Sequence, residues 1–137
     1  MAFKKLLLLF FCIAAVAAVN AQKQVELIQA NSLEGDVING VKVQKVMGNV
    51  IFKHNDALTY CDSAYQYNAK NIIDAWGNVK VVIDDDINIT GDSLNYNGTT
   101  SLGVMKGNVV LKQYDVITVY KMTDVFRYQL NPFRVLQ

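Results

Sequence analysis

Apolar and polar residues alternate along the chain after a short phrase, Gly-Asn-Val, that occurs three times. The copies begin at Gly48, Gly77 and Gly107, so the repeat steps are 29 and 30 residues long. A period of this length is typical of stacked supersecondary units, and apolar residues at every second position are typical of β-strands. The pattern therefore predicts a row of β-strand units of about 30 residues each.

A second phrase recurs in phase with the first, and the two together predict the course of one unit. The Gly-Asn pair is expected to form a turn that opens a strand, a polar break to lead into a second strand, and the Asp-Ser phrase to turn the chain into a third. Each unit would then have two corners. Two tyrosines of the first unit come one residue later than their counterparts Leu94 and Tyr96, which predicts a bulge that absorbs the slip. The second phrase begins at Asn31, Asp62, Asp92 and, in a looser copy, Asp124. The polar breaks are residues 54–56, 84–86 and 113–115. The counterparts of Leu94 and Tyr96 are Tyr65 and Tyr67 in the first unit, and Phe126 and Tyr128 in the third.

Alternation also predicts which side chains share a face of the sheet, with equivalent residues stacked about 4.8 Å apart along the repeat axis. The interior columns are apolar, and this leaves two interpretations open. The columns either seal against a facing sheet, as in any β-core, or line a seam that suits acyl chains, at about 0.8 kcal/mol per CH₂ removed from water. Val50, Val79 and Val109 form one column, Phe52, Val81 and Leu111 the next, and Lys53, Lys80 and Lys112 mark the outer face.

No stretch after the N-terminal segment shows a helical period, whereas Asn39-Gly40 and Asn97-Gly98 are strong tight-turn pairs. A unit of about 30 residues leaves no helix to cover the sheet, so we expect the sheet to fold over on itself. The first and last units of such a stack expose unpaired backbone groups. These edges would pair end to end with a strand from an identical chain or from a related protein.

The N-terminal segment has the pattern of a cleavable signal peptide over residues 1–21. Lys4 and Lys5 precede an apolar run of 13 residues, Leu6 to Ala18, and Val19-Asn20-Ala21 fits a signal-peptidase site. The run is shorter than the roughly 20 residues of a membrane span, so a retained anchor is the less favoured alternative. We therefore expect an exported chain with one β-repeat domain over residues 22–137.

Charge and cysteine content narrow the function classes. Without Lys4 and Lys5, 11 basic residues face 12 acidic ones, and this balance gives no basic field for nucleic acid. Cys12 would leave with the signal peptide. Cys61 is then the only cysteine of the mature chain, so stability is expected to come from strand pairing and apolar burial and not from a disulfide.

Candidate catalytic and metal-binding residues are few. The run from Asp84 to Asp86 lacks the alternating acids, glycine and closing glutamate of a calcium loop, and we interpret it as a solvated corner. His54 and Cys61 would need to be in hydrogen-bond reach to act as a nucleophile pair, and equivalent places in the other units hold unrelated residues. We therefore expect no enzyme activity, no metal site and no cofactor. Tyr96 and Tyr128 share a repeat position, which favours a structural role, and Trp76 is expected to cap the end of a unit.

The phrase Gly-Asn-Val, together with Gly91-Asp92-Ser93-Leu94-Asn95-Tyr96 in a unit of about 30 residues after a signal peptide, resembles the OstA-like (organic solvent tolerance) repeats. This is the family of LptA-type periplasmic lipopolysaccharide-transport proteins and of the N-terminal domain of their outer-membrane partner. The resemblance covers roughly Asn31 to Tyr128. It implies a V-shaped antiparallel β-jelly-roll, or folded-over open solenoid, without catalytic residues.

The resemblance also implies a periplasmic location, a domain that is short or truncated at its C-terminus, and a function. The apolar trough would shield the lipid A acyl chains of lipopolysaccharide, and the ends would join neighbours into a bridge across a Gram-negative envelope. A structural or adhesive β-solenoid with a sealed core is the alternative. A β-helical polysaccharide enzyme would require a cluster of acids or bases on an outer face. The implied lipid-binding positions are Val50, Phe52, Val79, Val81, Ile83, Ile87, Ile89, Leu94, Val109 and Leu111.

Overall fold

The computed structural model describes residues 23–113, 118–122 and 125–130. Within these ranges the chain forms ten strands of a single antiparallel sheet, one turn of 3₁₀-helix at Asn68–Lys70 and no α-helix. The signal peptide, residues 114–115 of the third polar break, Asp124 and residues 131–137 lie outside them. The strands are β1 Glu26–Gln29, β2 Ser32–Ile38, β3 Val41–His54, β4 Ala57–Tyr67, β5 Ile72–Ile83, β6 Ile87–Asn97, β7 Leu102–Lys106, β8 Val109–Gln113, β9 Thr118–Met122 and β10 Val125–Gln129.

The long strands β3 to β6 each contribute to two layers. In the first layer the strand order is β2-β3-β4-β5-β6-β7-β10, and in the second it is β1-β3-β4-β5-β6-β8-β9. Apolar side chains from both layers form one core cluster. The predicted all-β, folded-over open sheet is therefore confirmed.

The Gly-Asn pairs lie where the strands pass from one layer to the other. Gly48 and Asn49 have φ of 78° and 49°, and Gly77 and Asn78 have φ of 80° and 47°. Both pairs lie inside continuous strands, β3 and β5, at places where the pairing register shifts. For these two pairs the prediction that the pair opens a strand is wrong, because two successive left-handed residues form a bulge that bends the strand without ending it. The third pair, Gly107-Asn108, has the same left-handed backbone but lies between β7 and β8, so here the pair does open a strand, as predicted.

The Asp-Ser phrase does not turn the chain either. Asp62 and Asp92 lie within β4 and β6, next to the Gly-Asn pair of the neighbouring strand. The side-chain amide of Asn78 donates to Oδ2 of Asp62 over 2.9 Å, and that of Asn108 donates to Oδ2 of Asp92 over 3.0 Å. The two phrases therefore meet at one bend, and the predicted pair of separate corners is wrong. We call each contact a bend clasp.

Hairpin turns occupy the far ends of both layers. The first layer ends at Asn39-Gly40 and at residues 68–71 and 98–101; the second ends at Asn55-Asp56 and at residues 84–86. The predicted tight turn at Asn39-Gly40 and the first two polar breaks are thus confirmed. The repeat is a meander of hairpins in which each long strand bends once.

Register pairs define the interior rows of the second layer. Phe52, Thr59, Val81, Ile89 and Leu111 are successive partners across five strands. The predicted column of Phe52, Val81 and Leu111 is confirmed, but equivalent residues are two strands apart. Their spacing is roughly 9.6 Å and not the predicted 4.8 Å, because the meander places a returning strand between them. The three lysines of the outer face are exposed: Lys53, Lys80 and Lys112.

The predicted slip in the first unit is absent. Ala64 and Gln66, two and four residues after Asp62, are in register with the rows that contain Leu94 and Tyr96. The two late tyrosines lie instead on the outer face. One of them, Tyr65, packs against Trp76 with ring centroids 5.0 Å apart, so the predicted bulge for these tyrosines is wrong.

Candidate functional site

The predicted lipid-binding residues lie in the interior between the two layers. Nine of them come from the second layer, and only Leu94 comes from the first. Ile83, Ile87 and Leu111 are partly buried and pack against the core cluster. The other seven are buried: Val50, Phe52, Val79, Val81, Ile89, Leu94 and Val109.

The facing wall of the interior belongs to the first layer, and the sequence pattern located only one of its residues. One row of this wall runs through Val46, Ala64, Ala75, Leu94 and Met105, all at most 2 % exposed. In β4 and β6 the residues two and four positions after the aspartate of the Asp-Ser phrase are buried, and this rule would have located the inward residues of these two strands. The inward phase changes at the phrase in β4 and β6, so the alternation of the second layer does not extend across the bend.

The two walls contact each other directly. A Cβ atom added to Gly91, in the second layer, would lie 2.5 Å from Cγ of Met105 in the first layer. Gly91 therefore makes room for the methionine side chain. The chain's own side chains fill this part of the interior, so an acyl chain would have to separate the walls or displace side chains to enter it.

Polar side chains join the two layers at the mouth, which is the side opposite the bends. Nδ1 of His54, at the end of β3 in the second layer, lies 2.5 Å from the hydroxyl of Tyr96 in the first layer. Nε2 of His54 lies 3.2 Å from the carbonyl oxygen of Lys23. Since a carbonyl only accepts, Nε2 carries the proton, and Nδ1 accepts from Tyr96. Burial favours the neutral ring and lowers the pKa of His54, although the hydrogen bond to the carbonyl of Lys23 acts in the opposite direction.

The segment Lys23–Val25, which we call the strap, crosses this mouth. Asn71, in the first layer, accepts from the amide N–H of Val25 through Oδ1 over 2.7 Å and donates from Nδ2 to the carbonyl of Lys23 over 3.1 Å. Gln66 donates to the carbonyl of Val25 over 3.3 Å. Val25 is 6 % exposed and belongs to the core cluster. The strap therefore contacts polar side chains of both layers and covers the apolar interior.

An aromatic row continues from the mouth along the first layer. Tyr96 and Tyr128 face the same position, occupied by Gly103, from opposite sides, and their rings are stacked with centroids 6.2 Å apart. The predicted shared position of the two tyrosines is thus confirmed. Burial raises the pKa of Tyr96 to about 12 and raises that of Tyr128 as well, so both hydroxyls stay protonated.

The residues considered for catalysis are engaged elsewhere. Both ring nitrogens of His54 are occupied by Tyr96 and Lys23, and Cys61 is buried in the core, where burial raises the pKa of its thiol to about 12. Such a thiol is a poor nucleophile at neutral pH.

The acidic turn forms a polar surface depression of about 290 Å³ together with residues of the neighbouring hairpin. Asp84 and Asp85 are exposed, as expected for a solvated corner. Among the described residues, no three His, Cys, Asp or Glu side chains are grouped so as to hold a metal ion.

The first strands leave an apolar edge. Every residue of β2 but the last is exposed, and its only partner in the described part of the chain is β3. Leu33 and Val37, which are in register with Val46 and Lys42, are 51 % and 61 % exposed. This edge presents backbone groups that have no described partner strand beside the exposed apolar side chains of Leu33 and Val37.

None of the described helical segments has the length and apolar content needed to cross a membrane.

Two comparisons with known proteins bear on the family. No curated protein matches the chain. The family model described as OstA-like protein matches residues 22–131, which include every described residue. Its match covers the bends, both interior walls and the strap, and the chain belongs to the OstA-like protein family.

Proposed function

We propose that this chain is a non-enzymatic periplasmic module that binds lipopolysaccharide and shields its lipid A acyl chains during transport to the outer membrane. The observation that carries the proposal is the continuous apolar interior between two walls of one folded-over sheet. Membership of the OstA-like family supports a fold related to lipopolysaccharide transport.

The length of the interior rows supports the proposal. The rows run across the strands, and the row from Leu27 to Leu111 crosses six strands. At about 4.8 Å per strand this row is on the order of 24 Å long. Each CH₂ that leaves water for such a surface contributes about 0.8 kcal/mol. Four or five methylenes would therefore offset a few kcal/mol spent in separating the walls.

The close packing of the interior favours a second candidate, a structural or adhesive β-solenoid with a sealed core. Val46, Val50 and Val81 are 0 % exposed, and Met105 fills the space beside Gly91. The two candidates differ in one property. A carrier must admit an amphiphile between its walls, whereas a sealed core never does.

A photo-crosslinking amino acid at Phe52 tests the choice. Phe52 is 1 % exposed and faces the interior, whereas its neighbour Lys53 is exposed on the outer face. With lipopolysaccharide as the probe, the carrier proposal expects a crosslinked lipid adduct from position 52 and little from the control at position 53. Equal adducts at both positions, or protein-only adducts at position 52, would support the sealed solenoid.

The partners we propose are lipopolysaccharide and a strand from a second copy or from another envelope transport protein, paired to β2. Val37→Lys adds a charge to this exposed edge strand, and edge lysines oppose strand addition. We expect the variant to lose concentration-dependent association in sedimentation. Glu34→Gln, on the opposite face of the same strand, is the matched control and should associate like the parent chain. Unchanged association of the Val37 variant would exclude β2 as the joining edge.

A further inference from the structure

The strap at Lys23–Val25 crosses the mouth and belongs to no strand. The walls are held together at the bends by continuous strands, whereas the strap is held by side-chain contacts from Asn71, Gln66 and His54 and by the burial of one apolar side chain, Val25. It precedes β1, a strand of only four residues. Together with the contact between His54 and Tyr96, these few contacts hold the mouth closed.

We propose that the strap is a displaceable lid over the mouth, and that its release opens the apolar interior to solvent and to ligand. For lipid entry this inference rests on the proposed function, but the opening itself is a property of the chain alone. A lid at this place would resolve the conflict between a tightly packed interior and a carrier function, since the packing describes the closed state.

Asn71 is the residue that holds the lid. It has a left-handed backbone, with φ of 57°, and directly precedes β5, as Ser101, with φ of 59°, directly precedes β7. Their carbonyls also have matching roles, because Asn71 accepts from the N–H of Gly98 and Ser101 from that of Leu130. The backbone at position 71 is therefore part of the repeat. The amide side chain is an addition that gives the strap one donor and one acceptor.

Substitution of Asn71 by glycine separates these two roles. Glycine tolerates the left-handed backbone, so the turn is kept while both hydrogen bonds to the strap are lost. Asn39→Gly is the matched control: Asn39 also has a left-handed backbone, with φ of 50°, in an exposed hairpin turn of the same layer.

Cys61 reports opening without any lipid. It is 5 % exposed in the second-layer wall, and burial raises the pKa of its thiol to about 12. It directly precedes Asp62 of a bend clasp, at the end of the interior away from the mouth, so its reaction with N-ethylmaleimide requires that release of the strap separates the walls as far as the bend. In purified protein, with labelling followed by mass spectrometry of the Cys61 peptide, we expect Asn71→Gly to react about tenfold faster than the parent chain, as the loss of two hydrogen bonds implies. Asn39→Gly should react at the parental rate.

Global unfolding would also expose Cys61, so urea denaturation of the same variants is the necessary companion measurement. The lid is supported when the acceleration exceeds the factor that the change in global stability predicts. A labelling rate equal to that of the parent, or an acceleration that global unfolding fully explains, would overturn it. Val25→Ala, which removes part of the apolar anchor and leaves the turn at Asn71 intact, is the second variant and should accelerate labelling in the same way.

Lipopolysaccharide then tests the route of entry. If acyl chains enter at the mouth, lipopolysaccharide crosslinks to position 52 faster in the Asn71→Gly background than in the Asn39→Gly background. Faster Cys61 labelling without any lipid adduct would keep the lid and remove the carrier function. Lipid adducts that form at equal rates in both backgrounds, with unchanged Cys61 labelling, would keep the carrier and remove the lid.

Discussion

At the scale of single residues, the bends depend on glycines at positions where a side chain would be strained. Gly77 has φ of 80°, in the left-handed region that L side chains rarely adopt. A Cβ atom at this position would also lie 2.6 Å from Oδ2 and 2.8 Å from Cβ of Asp62. Backbone conformation and close approach thus require glycine independently.

We therefore expect Gly77→Ala to destabilise the fold by about 3 kcal/mol, from backbone strain and from the displacement of Asp62. Urea denaturation, followed by the fluorescence of Trp76 next to the bend, measures the loss. Gly35→Ala is the control, since no atom lies within 4 Å of its added Cβ. It should be neutral or slightly stabilising, and equal losses at both positions would contradict the role of the bend glycines.

His54 is the only histidine in the chain, which gives stability a distinctive pH dependence. Burial holds its pKa in the folded state below the ordinary value of 6.5. The unfolded chain therefore binds the proton first as pH falls, so this contribution to stability is complete above pH 6.5 and decreases from there down to the lowered pKa of the folded state.

We expect the urea midpoint of the parent chain to fall between pH 7.5 and pH 5.5, and to fall less in His54→Gln. Glutamine has no titratable proton in this range. A parent midpoint that stays constant over the window, or a variant with the same slope, would contradict a neutral His54 in the folded state.

At the scale of strands and turns, the period and the alternation were enough to predict the repeat, the β-class and the second-layer wall. They were not enough to place the Gly-Asn pairs. Two left-handed residues in succession suit a hairpin turn and a strand bulge equally well. The choice depends on whether the chain reverses, and it is made by the pairing of Asp62 and Asp92 with the neighbouring strand.

The same bends explain why most of the first-layer wall escaped prediction. Inward positions are odd before the Asp-Ser phrase and even after it, as Ile89 and Leu94 show in β6. If the alternation of the second layer is continued past the phrase, it predicts that Tyr65 faces the interior. In the structure the inward residue is Ala64.

The bend clasp is expected to contribute to stability as a pair. Asp92→Ala removes the acceptor, and Asn108→Gly removes the donor while keeping the left-handed backbone. Each single variant should lose about 1 kcal/mol, and the double variant should lose less than the sum in a double-mutant cycle. Losses that simply add would show that the two side chains do not stabilise the bend through their mutual hydrogen bond.

At the scale of the whole molecule, a sheet that folds over on itself has two kinds of boundary. At the bends the chain itself connects the two layers, and bend clasps join neighbouring strands there. The mouth is closed by the strap and by the contact between His54 and Tyr96. Apart from these boundaries, the outer edge of β2 has no partner strand in the described part of the chain. The proposals for binding, opening and assembly thus concern different parts of one small domain.

A cavity in the wall distinguishes the carrier from the sealed core. Ile89 is 1 % exposed and lies in register between Val81 and Leu111, so Ile89→Ala should cost about 3 kcal/mol through lost burial and the space left behind. In a carrier, an acyl chain of lipopolysaccharide fills this space, and ligand that binds only the folded state raises stability. We expect lipopolysaccharide to raise the urea midpoint of Ile89→Ala more than that of Val82→Ala, a control on the outer face of the same sheet. Equal midpoints with and without lipopolysaccharide in both variants would leave a sealed solenoid as the better description.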